Sequence, residues 1–293
     1  MSRDALSQFW DESYTMLFDG GNLLTPVMTP QSDLSVFPIL GRILSHGYLA
    51  TGVLPVRIAF PSLAGMLLGP CKIDDNIILL TFQNAISTSE SETIRQALLI
   101  TTDRFSSDLA TKLMGILSRF QCREMPTPSK LRRLLVQVAR FEFEVKPMVP
   151  VNSVHAGIPD DHKHFWEMMS VGKLYALYQM RTADPAKVIA HLEPESVTPA
   201  DDRVFSYLEN FVGNMNRNML HRFLRFCTGS STCIGKVIKV RFNGLSGLAR
   251  RPTSHTCDPS LDLPVSYTSY DDFTQEFEQI LSDPKFSWEM DAI

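Results

Sequence analysis

The stretch Leu192-Glu-Pro-Glu-Ser-Val-Thr-Pro199 separates two kinds of apolar pattern in this sequence. Proline cannot continue a helix and restricts the residue before it, so a helix must stop ahead of Pro194 and the next restart at Pro199. Upstream, apolar residues recur at three and four: Leu98 and Leu99, then Leu109, Leu113, Ile116 and Leu117, then Leu131, Leu134, Leu135 and Val138 beyond a break at Pro126 and Pro128. This spacing predicts helices over 91–144, with Ser129 as a candidate cap. The cluster Pro147, Pro150, Gly157 and Pro159 predicts a loop over 146–161, and two or three further helices follow over 162–192. In the first 70 residues short helices mix with turns, one of them at Gly20-Gly21-Asn22.

Downstream the pattern is mixed. Phe205, Leu208, Phe211 and Val212 mark one helix; Leu220, Phe223, Leu224 and Cys227 mark a second, ended by Thr228-Gly229. In 234–242, IGKVIKVRF, Ile234, Ile238, Val240 and Phe242 fall on one alternating face, against Lys239 and Arg241, the mark of a half-buried strand. Ser269 to Asp272 has the capping-box spacing and opens a last helix carrying Phe273, Phe277, Ile280 and Leu281 on one face. Phe223, Phe226, Phe273 and Phe277 therefore read as core residues. The expectation is an α+β protein with a larger, mostly helical region over 1–192, a linker over 193–199 and a smaller α+β region over 200–293.

Hydrophobic residues make up 44% of the chain and charged residues 20%, enough apolar content to bury a core. The net charge of −4 gives no general attraction to nucleic acid or anionic membrane. The basic clusters Lys130, Arg132 and Arg133, and Arg250 and Arg251, read as solvated charges. The most apolar region, 47–69, is interrupted by Pro55, Arg57 and Pro61, which argues against a membrane span. No apolar stretch follows the first charges of MSRDALSQFW, so no secretory signal is expected. Five widely spaced cysteines, an odd number, argue against a disulfide framework. The expected setting is a reducing, intracellular one, cytoplasmic or nuclear.

Among the cysteines, Cys257 alone has turn formers and polar neighbours on both sides, in Ser254-His-Thr-Cys-Asp-Pro-Ser-Leu-Asp-Leu-Pro264. Cys227 falls on an apolar helix face, Cys71 follows Pro70, and Cys122 lies at a helix end. A nucleophilic cysteine needs exposure and a route to thiolate. His255, Arg250 and Arg251 are near in sequence and candidates to help. The residues by themselves leave a structural loop cysteine and a nucleophile equally open. A zinc site of Cys227, Cys233, His255 and Cys257 is disfavoured, because Cys-x5-Cys and His-x-Cys lack the usual short spacing.

The segment His255-Thr256-Cys257, followed by Leu261-Asp-Leu-Pro264, resembles the active-site segment of HECT-type ubiquitin ligases, whose pattern is His-Thr-Cys-Phe-Asn, one residue, then Leu-x-Leu-Pro. Phe223 to Ser231, FLRFCTGSS, resembles the family's Leu-Leu-Gln-Phe-Val-Thr-Gly-Thr-Ser helix end. Val204-Phe-Ser-Tyr-Leu208 and Tyr270 to Leu281 are similar to the first and last helices of its C-terminal lobe. Further upstream, Leu40-Gly-Arg42 and Leu67-Leu-Gly69 are similar to a segment of its N-terminal lobe. Three positions depart from the pattern. Asp258-Pro259 replaces Phe-Asn, one residue is inserted before Tyr267, and Met290 stands where the family has Phe. The chain also reads as short at its N-terminus for a complete catalytic domain of this family.

The resemblance implies a bilobal fold, with a helical N-lobe that binds a conjugating enzyme and a C-lobe that carries the catalytic cysteine. It implies that Cys257 accepts ubiquitin as a thioester and passes it to a lysine of a protein substrate, with His255 and Thr256 as weaker flanking candidates. No cofactor or metal is implied. The alternative within the same resemblance is a degenerate module that binds ubiquitin or a conjugating enzyme without efficient transfer.

Overall fold

A computed structural model describes residues 2–30 and 32–282. In chain order its elements are α1 (Arg3–Leu17), β1 (Phe18–Gly20), β2 (Leu24–Pro26), α2 (Val36–Thr51), α3 (Phe60–Leu68), α4 (Asp75–Ala85), α5 (Thr88–Leu98), α6 (Ser107–Arg119), α7 (Pro128–Arg140), α8 (Met148–Ala156), α9 (Asp160–Glu167), α10 (Val171–Arg181), α11 (Pro185–Ile189), β3 (Leu192–Pro194), α12 (Pro199–Gly213), α13 (Arg217–Thr228), β4 (Ile238–Asn243), β5 (Thr253–His255), β6 (Ser260–Pro264) and α14 (Tyr270–Ser282). The protein is thus mostly helical α+β with a mixed sheet near its C-terminus. Met290 lies outside the described residues.

The described residues form two compact units, one within 11–46 and 55–176, the other of 2–10, 47–54 and 177–282. The first is helical apart from the antiparallel pair β1–β2, and its buried side chains include Phe37, Phe60, Leu67, Phe82, Leu117, Leu135 and Trp166. Helix starts here follow local chemistry. Ser87 and Glu90 form a reciprocal capping box on α5, and the Ser106 hydroxyl accepts the Leu109 N–H on α6. Helix α7 begins at Pro128 behind Thr127, so Ser129 lies inside the first turn rather than at its cap. It runs on into a π-helical turn over Phe141–Val145. The loop expected over 146–161 is corrected by α8. Pro147 and Pro150 fall at or within its first turn, where helix N–H groups have no intrahelical partner, so these prolines start a helix instead of preventing one.

The second unit is built on a sheet of order β3-β4-β6-β5. β3 and β6 both run parallel to β4, and β5 pairs antiparallel with β6. Residues 193–199, expected as a linker, hold the end of β3, Glu195 with its N–H donated to the Val240 carbonyl at 2.8 Å, and Thr198, the cap of α12. The Asp201 carboxylate accepts the N–H groups of Val197 and Thr198, which hold its pKa below the usual range. The two compact units exchange chain at 10/11, 46/47, 54/55 and 176/177. The strand expected over 234–242 begins at Ile238, and Ile238 and Val240 are buried as the alternation requires.

Over the sheet lies one apolar cluster from α12, α13, β4, β6 and α14, with Val204, Leu208, Leu220, Phe223, Leu261, Leu263, Phe273 and Phe277 at its centre. Phe277 contacts Phe211, Phe223 and Phe273, at ring separations of 5.5, 6.4 and 4.9 Å. Phe223, Phe226, Phe273 and Phe277 are all buried, as their spacing requires. Helix α13 ends at Gly229, whose φ of 69° is the left-handed conformation that glycine adopts without strain.

Candidate functional site

β5 and β6 form a hairpin whose return is the turn Thr256-Cys257-Asp258-Pro259. Along β5 the exposure alternates. Thr253 and His255 face outward, while Ser254 is buried and its hydroxyl donates to the Phe226 carbonyl at 2.6 Å. β6 is interior to the sheet, with Leu261 and Leu263 fully buried, so the hairpin is fixed by a strand that cannot slip without exposing them. Pro259 is buried, and its carbonyl accepts the Lys239 N–H at 3.0 Å. Pro259 thus anchors the turn from below, and Cys257 and Asp258 stand exposed at its apex.

The thiols differ sharply in setting. Cys257 is exposed. Cys227 is fully buried in α13, and burial pushes its pKa far up. Cys233 is buried as well, and desolvation raises its pKa despite Lys187 and Arg181 nearby. Cys71 is raised by burial first and by the Glu144 carboxylate second. Cys122 is half-buried. Among the described residues no group of three or more His, Cys, Asp or Glu side chains is arranged to hold a metal ion.

The proposed helpers are placed as follows. His255 is on the outer face of β5, its side chain 66% exposed, with Nε2 3.5 Å from Asp262 Oδ2 on β6. Thr256 is half-buried, and its carbonyl accepts a bond from Arg3 Nη2 at 2.7 Å. The suggestion that Arg250 assists the thiol is corrected. Its guanidinium bonds Asp272 at 2.8 and 2.7 Å, sits 3.0 Å from Glu276 and lies over the Tyr267 ring at 4.8 Å. These contacts tie the 244–252 segment to α14. The Arg250 bonds, with the Thr268 N–H, pull the Asp272 pKa down to about 2, whereas burial raises Glu276.

Beside the turn is an open cleft of about 390 Å³, lined by Arg3, Thr51, Gly229, Lys236, Thr256 and Cys257 among others. The site is thus an exposed thiol on the apex of a hairpin between two short strands, beside a helix that ends in Thr228-Gly229. Residues 162–287 match the HECT-domain (ubiquitin-transferase) family model. The HECT match takes in most of α9, all of α10 to α14 and the whole four-stranded sheet, and covers only part of the chain. No curated protein matches this chain. Members of the HECT family are ubiquitin transferases. The match contains Cys257, His255 and Thr256 but not Arg3, which no sequence pattern connects with a turn more than two hundred positions away. No helix among the described residues is long and apolar enough to cross a membrane.

Proposed function

We propose that this protein is a ubiquitin-protein transferase of the HECT type, with Cys257 as the residue that carries the acyl group. The exposure of Cys257 at the hairpin apex, against the burial of Cys227 and Cys233, is the observation that supports it. The Cys257 thiolate attacks the carbonyl carbon of the thioester that joins ubiquitin to a conjugating enzyme. A new C–S bond forms, the old one breaks, and the conjugating enzyme's cysteine leaves as thiolate. Because one thioester replaces another, the exchange is close to isoenergetic, and its rate rests on positioning. A neutral lysine amine of the acceptor then attacks the Cys257 thioester. A C–N bond forms, Cys257 leaves as thiolate, and the proton lost by the amine passes to water or a base. An apex position suits a thiol that must meet two macromolecular partners in turn. In this reading the helical region upstream receives the conjugating enzyme.

The test is incubation with a ubiquitin-charged conjugating enzyme, followed by a non-reducing gel. A ubiquitin adduct that reductant removes is expected. Absence of an adduct with a broad set of conjugating enzymes would overturn the proposal.

A second reading, a module that binds without efficient transfer, is favoured by one observation. The exposed Asp258 carboxylate stands next to the thiol, in the departure from Phe-Asn. Under this reading the wild type is inert, and Asp258→Phe with Pro259→Asn yields an adduct.

A further inference from the structure

The start of α1 is attached to the site by five polar contacts. The Asp4 carboxylate accepts a bond from Arg225 Nε of α13 at 2.8 Å, and both side chains are largely buried. The Ser7 hydroxyl donates to the Gly229 carbonyl at 3.2 Å and accepts the Ser231 N–H at 3.4 Å. A Cβ built on Gly229 would lie 3.6 Å from the Asp4 nitrogen and 3.5 Å from the Thr256 Cβ, so α1, the end of α13 and the thiol-bearing turn meet there. With α1 fixed in this way, Arg3 reaches the turn. Its Nη2 donates to the Thr256 carbonyl at 2.7 Å and lies 3.4 Å from the Cys257 carbonyl. Its Nη1 is buried. A hydrogen bond from a charged donor is stronger than one between neutral groups.

We infer that Arg3 is a positioning residue for acyl transfer: its guanidinium clamps the two carbonyls of the Thr256–Cys257 segment and so fixes the direction in which the Cys257 thiol is presented. This rests on the proposed transferase activity. The turn has its own anchors at its two ends, Ser254 to Phe226 and Pro259 to Lys239. Neither touches the residue that carries the thiol. Both contacts are made by the same nitrogen, Nη2, whose two N–H groups lie in the fixed guanidinium plane, whereas a lysine ammonium turns freely on a flexible stem.

The experiment uses the full chain, with Arg3→Ala and Arg3→Lys, read two ways. Hydrogen exchange of the 254–260 amides reports the clamp without any need for ubiquitin. Single-turnover adduct formation over a range of charged conjugating enzyme separates maximal rate from half-saturation. Arg3→Ala is expected to speed exchange in 254–260 while leaving 204–212 in α12 unchanged. It is also expected to lower the maximal rate about tenfold, with half-saturation unchanged, as befits a group acting on the step and not on docking. Arg3→Lys should recover part of the rate. If Arg3→Ala unfolds the unit, Arg3→Lys decides, with slower transfer at a wild-type melting temperature as the supporting result.

Unchanged exchange at the turn would overturn the clamp. Faster exchange with an unchanged rate would overturn the positioning role. Loss of rate matched by a rise in half-saturation would assign Arg3 to partner docking and also overturn it. A wild type that forms no adduct sinks the proposed function and this inference together, whereas a wild-type adduct indifferent to Arg3 sinks the inference alone.

Discussion

The aromatic core beneath α14 and the turn at 256–259 belong to one compact unit but are held by different means. The core is held by area: Phe211, Phe223, Phe273 and Phe277 pack ring against ring with almost no exposure. The turn is held by a few polar tethers to distant residues, namely Phe226, Lys239 and Arg3, while Cys257 at its apex is exposed. Burial is non-directional and hard to remove piecemeal, and it secures the fold. Directional bonds orient a group without covering it, which is what a nucleophile at a surface requires. The two regions should therefore respond in opposite ways to substitution, stability being lost in one and activity in the other.

The widest separation is expected from Cys257→Ala. It should remove the reducible adduct altogether and leave the melting temperature within a degree or so of wild type, since an exposed side chain contributes little to stability. Cys227→Ala and Cys233→Ala should keep the adduct. An adduct surviving in Cys257→Ala would break the comparison at its centre. Next is Phe277→Ala, which should cost about 3–5 kcal/mol in denaturant unfolding while the folded fraction retains its adduct rate. A loss under about 1 kcal/mol would show that α14 does not depend on this ring.

Ser254→Ala sharpens the comparison because Ser254 belongs to both regions. Its hydroxyl is buried, and removing it leaves the Phe226 carbonyl without that donor, so about 1–3 kcal/mol should be lost along with some adduct rate. Both effects in one variant would mark the place where core and site join. Acid unfolding gives a smaller signal. The Asp272 carboxyl has a folded pKa of about 2, below its unfolded value, so its contribution is present above pH about 4 and is lost as pH falls toward 2. Glu276 is shifted the opposite way and partly offsets it. Asp272→Asn should flatten this limb of the stability–pH curve, and an unaltered limb would assign it elsewhere. The smallest effect is expected for His255→Gln. His255 is mostly exposed and its charged partner is Asp262, so the adduct rate should stay within about threefold. A larger fall would place His255 in the chemistry.

Much of the core was legible because burial leaves a periodic trace. The spacing of Phe273 and Phe277, the alternation at Ile238 and Val240, and the Thr228-Gly229 helix end all appear in the structure where the pattern places them. The short strands were not legible. β5 has three polar residues, and β6 offers only Leu261-Asp262-Leu263 between turn formers, so neither is long enough for its alternation to stand out. Pro194 has the look of a breaker, yet Leu192–Pro194 pairs in parallel with β4 from the end of the sheet, a position where proline is tolerated. Helix α8 is hidden by its prolines, which stop a helix in its interior but fit its first turn. At the site, turn formers around Cys257 foretold its exposure. Arg3 left no trace, because a bond to a backbone carbonyl imposes no pattern on the residues that provide it.

The attachment of Arg3 to Thr256 and Cys257 also sets a schedule. The unit that holds the sheet takes its first residues from 1–10 and its last strands from beyond 250, while residues 11–46 and 55–176 make up the other unit. At ribosomal rates of roughly 5–20 residues per second, the start of α1 waits on the order of tens of seconds for the hairpin that it will clasp. The helical unit has all its residues well before then. During synthesis Arg3 consequently precedes its partners at Thr256 and Cys257 by more than two hundred residues, and the nucleophile's turn closes only after the second compact unit has been made.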